Sequence, residues 1–460
     1  MKNKIKAPVE KNETITLEIT ALNSEGQGIG RYEGFTVFVP YALPSEEVSA
    51  HVIKVNKNHA IAKLKEIHTK SEHRIEPACS HFHECGGCDL QHIEYSEQLR
   101  FKTKRVFVAI TRIGGFEAGT FDMKDTIGSV PNTRYRNKAS FPFANADGKV
   151  IAGLFAARSH RLIPIKDCTI QNSLALDAMN ATCDFANKQG ISAYDEQTHS
   201  GILRHLVVRT TQSGDVLVII VTNGPLPYET EFIEYMKKSL PSLVGIVHNI
   251  NNEKTNVIMG ERFKTLHGEI SIEESICGLK FKVAVQSFLQ VNHSQTEKLY
   301  SLVIDGLKLS GNELVFDLYC GIGTISLLLA QHAKKVIGIE SVNEAVLDAR
   351  RNAQSNLLTN AEFISTEAET ALPRLAKEQI MPDVIVIDPP RKGCDESVIN
   401  AIIDCQPTKI AYISCNPETL ARDLKVLAGG GYTVDSVQPV DMFPGTEHVE
   451  TVVLITRVEK

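Results

Sequence analysis

Residues 314–323 read LVFDLYCGIG, and this stretch decides the fold of the C-terminal part of the chain. Its apolar half is typical of a buried strand, and the glycines after it lead into a helix whose first amides point at a ligand. Similar apolar runs, separated by helix-like segments, occupy residues 334–340, 361–367, 383–388 and 409–414. Strands that alternate with helices in this way predict an α/β domain with a parallel sheet and crossover helices.

Three polar residues stand where these predicted strands end. Glu340 closes the second run, Asp388 ends the fourth and opens a Pro-Pro-Arg turn, and Cys415 follows the fifth. Ligands of doubly wound sheets bind outside the carboxyl ends of the strands, so these side chains are expected to face one site. A lone cysteine is more often a buried structural residue. The position of Cys415 beside the two other motifs favours a nucleophile in a nucleotide-type cofactor domain.

The glycine loop is weak evidence alone, but together with the Asp-Pro-Pro turn after the fourth predicted strand it favours S-adenosylmethionine over NAD as the cofactor. Gly321 and Gly323 fit the start of a dinucleotide fingerprint, but Ser326 stands where its third glycine is needed. The missing glycine disfavours close packing around a pyrophosphate. Glu340, roughly 20 residues further on, can accept hydrogen bonds from ribose hydroxyls.

Length and composition limit the classes of protein. A chain of 460 residues has room for about three domains. The net charge is −6, so any nucleic-acid surface must be a local patch. A polar N-terminus and the lack of a long apolar stretch predict a cytoplasmic protein that is neither secreted nor inserted in a membrane. Ten cysteines in such a chain are expected to be reduced, which points to metal binding or catalysis.

Changes in sequence texture divide the chain into three expected domains. Residues 8–67 contain short β-type runs punctuated by glycines and no helix-like segment, which suggests a small β-barrel of the OB type and leaves a generic β-domain open. Residues 68–281 are expected to form an α+β middle domain with a helix near residues 174–188. Residues 282–460 form the α/β domain, on which a helix over residues 95–113 could pack.

A tight group of cysteines in the middle domain has the spacing of a metal centre. It reads Cys79-x5-Cys85-Gly-Gly-Cys88, and Cys168 is the best fourth ligand. Four thiolates suit an iron–sulfur cluster. Zinc could use the same thiolates, or three of them with a histidine of the same segment. The spacing alone leaves the two metals open.

Two basic groups in the middle domain are candidates for phosphate contacts, which give affinity for nucleic acid without sequence choice. Solvated strand faces are the usual explanation for such charges. The first group alternates at period two, so its members are expected on one strand face. The groups are Arg134, Arg136 and Lys138, and Arg204, His205 and Arg209.

Several strings of the sequence resemble the RNA (uracil-5-)-methyltransferase family. They are FDLYCGIGT, DPPRKG, SCNPETLARD and HVETV, with FLQVN upstream of them and RYRNK in the middle domain. The likeness covers nearly the whole chain, including an N-terminal segment similar to a TRAM RNA-binding barrel. It implies a Rossmann-like, S-adenosylmethionine-dependent methyltransferase domain at the C-terminus. The residues implied are Gln290, Tyr319, Glu340 and Asp388 for the cofactor, Cys415 as the nucleophile and Glu450 as the proton-abstracting base.

The cysteine pattern resembles the branch of this family that acts on 23S ribosomal RNA and carries a [4Fe–4S] cluster. The resemblance implies a cluster held by Cys79, Cys85, Cys88 and Cys168. It also implies 23S ribosomal RNA as the partner, with no DNA or membrane partner expected. Four thiolate ligands leave the iron no open site, so the expected role of the cluster is structural.

The chemistry explains why such an enzyme needs a thiol and a base. C5 of uracil is too weak a nucleophile to attack a methyl sulfonium unaided. A thiolate that adds at C6 converts the ring to an enolate with electron density at C5. After methyl transfer, a base must remove the C5 proton so that the cysteine can leave.

Three alternatives stand beside this interpretation. A transfer-RNA enzyme would use the same chemistry, but most enzymes resembling that branch lack both the N-terminal barrel and the cysteine group. RNA (cytosine-5-)-methyltransferases usually have a cysteine directly after the proline of the fourth-strand motif, where this chain has Arg391. A non-catalytic iron–sulfur protein that binds RNA or senses redox state would not need Cys415 and Glu450 together.

Overall fold

The computed structural model describes residues 7–458, and its N-terminal part is a closed five-stranded barrel. The strands are β1 (Thr14–Leu22), β2 (Gly28–Tyr32), β3 (Phe35–Val39), β4 (Glu47–Val55) and β5 (His59–Thr69). Alternate residues of β1, namely Ile15, Leu17 and Ile19, fill the barrel, since successive strand residues face opposite sides. Gly30 is needed where β2 pairs with β1, because a Cβ there would lie 2.5 Å from a side-chain carbon of Leu17. The predicted small barrel is confirmed.

An irregular loop over residues 70–94, a long helix and a very short strand connect the barrel to the middle sheet. The helix and strand are α1 (Tyr95–Arg112) and β6 (Asp122–Met123). Val106 and Ile110 of α1 pack in the same hydrophobic core as Phe316 of the C-terminal part. β6 pairs in parallel with a C-terminal strand at Ser436. Both elements therefore pack with the C-terminal sheet although they precede the middle sheet in sequence.

The middle part of the chain contains a seven-stranded sheet with two helices and a separate two-stranded hairpin. The elements are β7 (Lys138–Ala146), β8 (Lys149–Phe155), β9 (Leu162–Pro164), α2 (Ser173–Gln189), β10 (Leu203–Thr210), β11 (Val216–Thr222), α3 (Glu229–Ser239), β12 (Leu243–Ile250), β13 (Arg262–Gly268), β14 (Ser271–Ile276) and β15 (Leu279–Ala284). The order of the large sheet is β13-β12-β11-β10-β7-β8-β9. The helix predicted near residues 174–188 is α2. The sequence reading missed α3, because Phe232 and Met236 are its only buried residues and give a weak periodic signal.

The C-terminal part is an eight-stranded sheet with helices on both faces. Its elements are α4 (His293–Leu307), β16 (Leu314–Leu318), α5 (Thr324–Ala330), β17 (Lys335–Glu340), α6 (Asn343–Ser355), β18 (Ala361–Ser365), α7 (Ala368–Lys377), β19 (Val384–Ile387), α8 (Glu396–Cys405), β20 (Lys409–Ser414), α9 (Pro417–Gly429), β21 (Tyr432–Val440) and β22 (Glu450–Arg457). The strand order is β18-β17-β16-β19-β20-β22-β21-β6. The strands from β18 to β20 are parallel, and β22 is antiparallel to β20. The order reverses between β16 and β19, which is where such sheets bind ligands.

This arrangement of barrel, α+β middle part and α/β C-terminal part confirms the predicted fold class. The boundaries between the three predicted domains stay predictions. Between residues 7 and 458, none of the helices is long and apolar enough to cross a membrane.

Candidate active site

The crevice where the strand order reverses is bordered by residues that end or follow β16, β17 and β19. Tyr319 follows β16 with a φ of 66°, and its amide donates to the carbonyl of Ile339 at 2.9 Å. Glu340 ends β17, and its Oε2 accepts a hydrogen bond from the amide of Gly321 at 3.1 Å. Asp388 follows β19 directly. Three of the four residues predicted to contact the cofactor therefore border one crevice.

Close packing fixes the glycine loop in front of α5. Gly323 precedes α5 with a φ of 80°, and a Cβ at this position would lie 2.9 Å from the ring of Phe363. Glycine alone meets both conditions without strain. Ser326 replaces the third glycine of a dinucleotide fingerprint, and its Oγ donates to Oδ2 of Asp317 at 2.5 Å.

Three carboxyl groups, those of Asp317, Glu340 and Asp388, lie close enough at this end of the sheet to affect one another. Burial raises the pKa of Asp317 to about 7, and the charges of Asp388 and Glu340 add to the rise. Burial likewise raises the pKa of Asp388 to about 7. Oδ1 of Asp317 is buried and has no hydrogen-bond partner. A cationic ligand would relieve the repulsion, and a ligand with hydroxyl or amine donors would supply the missing hydrogen bond. No role was predicted for Asp317 from the sequence, although Asp317 lies inside the stretch that decided the fold.

Cys415 and Glu450 are brought together by the pairing of β20 with β22. The two strands are antiparallel, and Ser414 lies opposite Thr451. Cys415 directly follows Ser414, and Glu450 directly precedes Thr451. The register therefore places Cys415 and Glu450 across from each other. Asn416 caps α9 directly after the cysteine, because its side chain accepts a hydrogen bond from the amide of Glu418 at 3.0 Å. The sharp turn between β20 and α9 thus holds Cys415 at the edge of the crevice.

The charges around this pair affect both groups. Burial raises the pKa of the Cys415 thiol to about 11, and the charges of Glu450 and Asp388 add to the rise. Burial also raises the pKa of Glu450 to about 8, and Asp388 again adds to the rise. Arg391 opposes both shifts. Oε2 of Glu450 is buried and accepts no hydrogen bond from the described residues. Glu450 is therefore a desolvated carboxyl group that can hold a proton near neutral pH.

Arg391 links the turn after β19 to the turn after β20. Its carbonyl accepts a hydrogen bond from Nδ2 of Asn416 at 3.1 Å, and its Nη2 lies 3.3 Å from Nε2 of His448. In the sequence, Arg391 argued only against a cytosine enzyme, and no function was predicted for it. Its position could have indicated a role at the site, because Arg391 directly follows the Asp-Pro-Pro turn that was predicted to border the site.

Gln290 lies where two of the sequence strings meet. The amide of Asn137, in RYRNK, donates to the carbonyl of Val291, in FLQVN, at 2.9 Å. Nδ2 of Asn137 also donates to the carbonyl of Gln290 at 3.1 Å. Gln290 is 5% exposed, and its side-chain amide forms no hydrogen bond to any residue that the structure describes. The amide is therefore available to a ligand.

Comparison with known proteins identifies the family to which this site belongs. A family model described as tRNA (Uracil-5-)-methyltransferase matches residues 94–458, and a TRAM domain model matches residues 8–65. The chain belongs to this methyltransferase family. It is an S-adenosylmethionine-dependent RNA methyltransferase with an N-terminal TRAM barrel, as the sequence strings predicted.

Relatives of this methyltransferase match along almost its whole length. Uncharacterized RNA methyltransferases from Clostridium tetani and Bacillus cereus are 45% and 44% identical, covering 98% and 100% of this chain and 97% and 100% of the relatives. A solved structure, Pyrococcus abyssi tRNA (uracil-54, C5)-methyltransferase in complex with S-adenosyl-L-homocysteine, is 28% identical with a TM-score of 0.77. That match covers 96% of this chain and 100% of the archaeal chain.

The four cysteines predicted as metal ligands lie near one another. Burial raises the pKa of Cys88 to about 12, and the proximity of Cys168, Cys85 and Cys79 adds to the rise. All ten cysteines of the methyltransferase are free of disulfide bonds. In the part of the chain that the structure describes, no group of three or more Cys, His, Asp or Glu side chains is arranged to hold a metal ion. The thiols are neighbours, but they do not form a ready metal site.

The cysteine loop also contacts the segment that leads to Glu450. The amides of Asp89 and Leu90 donate to the carbonyl of Gly445 at 3.0 and 2.9 Å. Cys88 Sγ lies 3.9 Å from the place that a Cβ on Gly445 would take. The cysteine loop is therefore in contact with the loop that precedes Glu450 in the chain.

The predicted strand face of Arg134, Arg136 and Lys138 is wrong. Arg134 has a φ of 54° and lies before β7, and its guanidinium forms an ion pair with Asp167 at 2.6 Å. Arg136 forms an isolated bridge, and only Lys138 belongs to β7. The period-two spacing was misleading because the left-handed residue breaks the strand geometry on which the argument depended.

The second basic group is also wrong as a surface for phosphate. Arg204 is 5% exposed and Arg209 is 3% exposed. The Arg204 guanidinium donates to three backbone carbonyls in residues 251–255, and Arg209 donates to the carbonyl of Ser287. Burial and the neighbouring Arg204 lower the pKa of His205 to about 4, which leaves it uncharged. The two arginine side chains hold backbone carbonyls of neighbouring loops instead of facing RNA.

Proposed function

We propose that the protein methylates C5 of uridine in 23S ribosomal RNA through a covalent adduct between Cys415 and C6 of uracil. The observation that carries this proposal is the register of β20 and β22, which sets Cys415 opposite Glu450 beside the crevice. A thiol and a buried carboxyl group at one site are the two protein groups that C5 methylation needs.

The crevice offers a suitable setting for S-adenosylmethionine. Gln290, Tyr319, Glu340 and Asp388 would hold it: Glu340 at the ribose hydroxyls, and Asp388 near its positive charges. The unpaired oxygen of Asp317 and the free amide of Gln290 support this fit. When bound, the cofactor supplies an electrophilic methyl group.

The first step of the proposed reaction belongs to Cys415. Its sulfur, as thiolate, bonds to C6, and the electrons of the C5–C6 double bond move toward C5 and O4. The positive charge of Arg391 favours the thiolate, because it lowers the pKa that burial raises. Arg391 would act in the same sense on the negative charge that develops on the ring.

The last step of the proposed reaction belongs to Glu450. Once C5 bears both a methyl group and its original hydrogen, Glu450 accepts that hydrogen as a proton. The electrons of the C5–H bond restore the C5–C6 double bond, and the sulfur of Cys415 leaves C6 as thiolate. The raised pKa of Glu450 makes it a stronger base than an exposed glutamate.

Ribosomal RNA is proposed as the substrate because the TRAM barrel and the cysteine group both resemble the ribosomal-RNA branch. Transfer RNA is the second candidate, favoured by the whole-chain likeness to the archaeal tRNA (uracil-54, C5)-methyltransferase. Either substrate places the enzyme in the cytoplasm.

We propose further that Cys79, Cys85, Cys88 and Cys168 hold a [4Fe–4S] cluster. Their proximity supports this, as does a donor set made only of thiols, which suits iron–sulfur clusters. The sulfurs would have to move together to bind a cluster, since the described residues contain no ready metal site. The contacts of this loop with Gly445 support a structural role for the cluster.

Mapping 5-methyluridine in the RNA of a deletion strain tests the proposed substrate. Loss of the modification from 23S ribosomal RNA, with restoration by the wild-type gene and not by a Cys415→Ala gene, is the expected result. Loss from transfer RNA alone would establish the second candidate. Unchanged 5-methyluridine in both RNAs would contradict the proposed activity.

A further inference from the structure

The loop that joins β21 to β22, residues 441–449, ends at Glu450 and is fastened by one face of α1. We propose that Lys102 and Gln98 of α1 are positioning residues that orient Glu450 through this loop. The inference rests on the role proposed for Glu450 as the base. It assigns a function to a buried ion pair that neither the cofactor crevice nor Cys415 uses.

The ion pair lies at the start of the loop. Nζ of Lys102 is 2.5 Å from Oδ1 of Asp441, and both side chains are 0% exposed. The same ammonium donates to the carbonyl of Phe443 at 3.1 Å. The second carboxylate oxygen of Asp441 accepts a hydrogen bond from the hydroxyl of Tyr95 at 2.8 Å. Three directed bonds from α1 thus hold Asp441 and Phe443 at the start of the loop.

Two further bonds hold the later part of the loop against α1. Oε1 of Gln98 accepts a hydrogen bond from the amide of Gly445 at 3.0 Å. Arg105 donates to the carbonyl of Glu447 at 2.8 Å. Together with Tyr95 and Lys102, these residues follow spacings of three and four, which place them on one face of the helix.

Glu450 needs such support because its own carboxyl group is not held. Oε2 of Glu450 is buried and receives no hydrogen bond from any described residue. Its direction must therefore come from the backbone on its two sides. The pairing of β22 with β20 supplies one side. The loop fastened to α1 supplies the other, and misplacing a base by about 1 Å can cost about a hundredfold in rate.

The step that depends on this orientation is the transfer of the C5 proton to Glu450. Bond formation between Cys415 and C6, and arrival of the methyl group at C5, precede that step. Loosening the loop should therefore slow proton removal while methyl transfer continues. The covalent enzyme–RNA species would accumulate, as it would when the base itself is removed.

Two isotopes in one experiment separate these steps. A 23S ribosomal RNA transcript made with [5-³H]uridine is mixed with excess enzyme and S-adenosylmethionine carrying a ¹⁴C methyl group. Transfer of ¹⁴C to RNA reports methylation, and tritium appearing in water reports proton removal. Lys102→Met removes the ion pair. Gln98→Leu removes the acceptor for Gly445 without stranding a buried charge, so it serves if the first variant does not fold. Lys104→Met, an exposed residue of the same helix, is the matched control.

We expect Lys102→Met and Gln98→Leu to lower the ratio of tritium release to ¹⁴C transfer at least about tenfold. Both should accumulate an SDS-stable RNA complex, while affinity for S-adenosylhomocysteine stays at the wild-type value. Lys104→Met should keep the wild-type ratio. Suppose that folded Gln98→Leu and Lys102→Met proteins keep the wild-type ratio of tritium release to ¹⁴C transfer, while Glu450→Gln retains tritium. That result would overturn the role of Lys102 and Gln98 but leave Glu450 as the base. A Glu450→Gln protein that releases tritium normally would overturn the base assignment itself.

Discussion

Replacing Glu450 by glutamine should slow removal of the C5 proton after methyl transfer and make this one step independent of pH between pH 7 and pH 9. Glutamine keeps the size of the side chain but cannot accept a proton. General bases contribute about 10²- to 10⁴-fold, so proton removal from C5 should fall by about that factor. The covalent adduct between Cys415 and RNA should then persist even with ordinary uridine at the target, without 5-fluorouridine.

The pH dependence of the wild-type enzyme follows from the surroundings of Glu450. Burial, and then the charge of Asp388, raise its pKa to about 8. Below that pH the carboxyl group is protonated and cannot act as a base, so proton removal should rise as the pH rises. With about a tenth of the group ionised at pH 7, the rate should increase about tenfold by pH 9.

Single-turnover tritium release from RNA labelled at C5 of uridine measures this step directly. The wild-type rate should climb between pH 7 and pH 9, and the Glu450→Gln rate should be low and flat. Tritium release by Glu450→Gln at the wild-type rate would refute the assignment. A wild-type rate that is flat across this range would refute the pKa argument, because a base with an ordinary pKa is fully ionised throughout.

Three further changes test other parts of the structure. Lys102→Met should lower the free energy of unfolding by about 3–5 kcal/mol, because it leaves the buried Asp441 carboxylate without its partner. Lys104→Met should change the free energy of unfolding by less than about 0.5 kcal/mol. Equal urea midpoints for the two variants would contradict this prediction. Asp388→Asn should weaken S-adenosylmethionine binding about tenfold or more in calorimetry, because a charged hydrogen-bond partner is lost. Unchanged affinity would remove Asp388 from the cofactor site. Cys168→Ser should reduce the iron content of anaerobically purified protein from about four atoms per chain and weaken RNA binding more than cofactor binding. A full, stable cluster in that variant would show that Cys168 is not a ligand, and zinc without iron in the wild type would contradict the choice of metal.

The fold was largely predictable because its signals are local. Parallel strands covered on both faces read as continuous apolar runs, and the run before Cys415 placed that residue at a strand end without any tertiary information. The short β-type runs separated by glycines were an equally local signal for the barrel. Gly30, for example, stands where two paired strands approach closely. Position relative to a strand end was thus enough to place Cys415, Asp388 and Glu340 at the carboxyl ends of sheet strands.

What failed depended on contacts between distant segments. The alternation of Arg134, Arg136 and Lys138 suggested one strand face, yet Arg134 turns away to pair with Asp167. Glu450 was indistinguishable from an exposed strand-end carboxylate until a family motif pointed to it. Its burial arises from the register of β22, which no local pattern reveals.

The partners of α1 were invisible for the same reason. A lysine in a helix is normally expected on the solvent-exposed face, and the sequence offers no sign that the charge of Lys102 is buried. Asp441 lies more than 300 residues away in the chain, and the two meet because α1 packs on the C-terminal sheet. Buried ion pairs of this kind are found only once the tertiary structure is known.

Trapping of the covalent intermediate tests the central claim most directly. Fluorine at C5 cannot leave as a cation, so 23S ribosomal RNA containing 5-fluorouridine should halt the enzyme after methyl transfer. Incubation with S-adenosylmethionine should give an SDS-stable complex, and mass spectrometry of its peptides should place the nucleotide on Cys415. Cys415→Ala should form no such complex. An adduct on another residue, or a stable complex with the Cys415→Ala protein, would contradict the proposed mechanism.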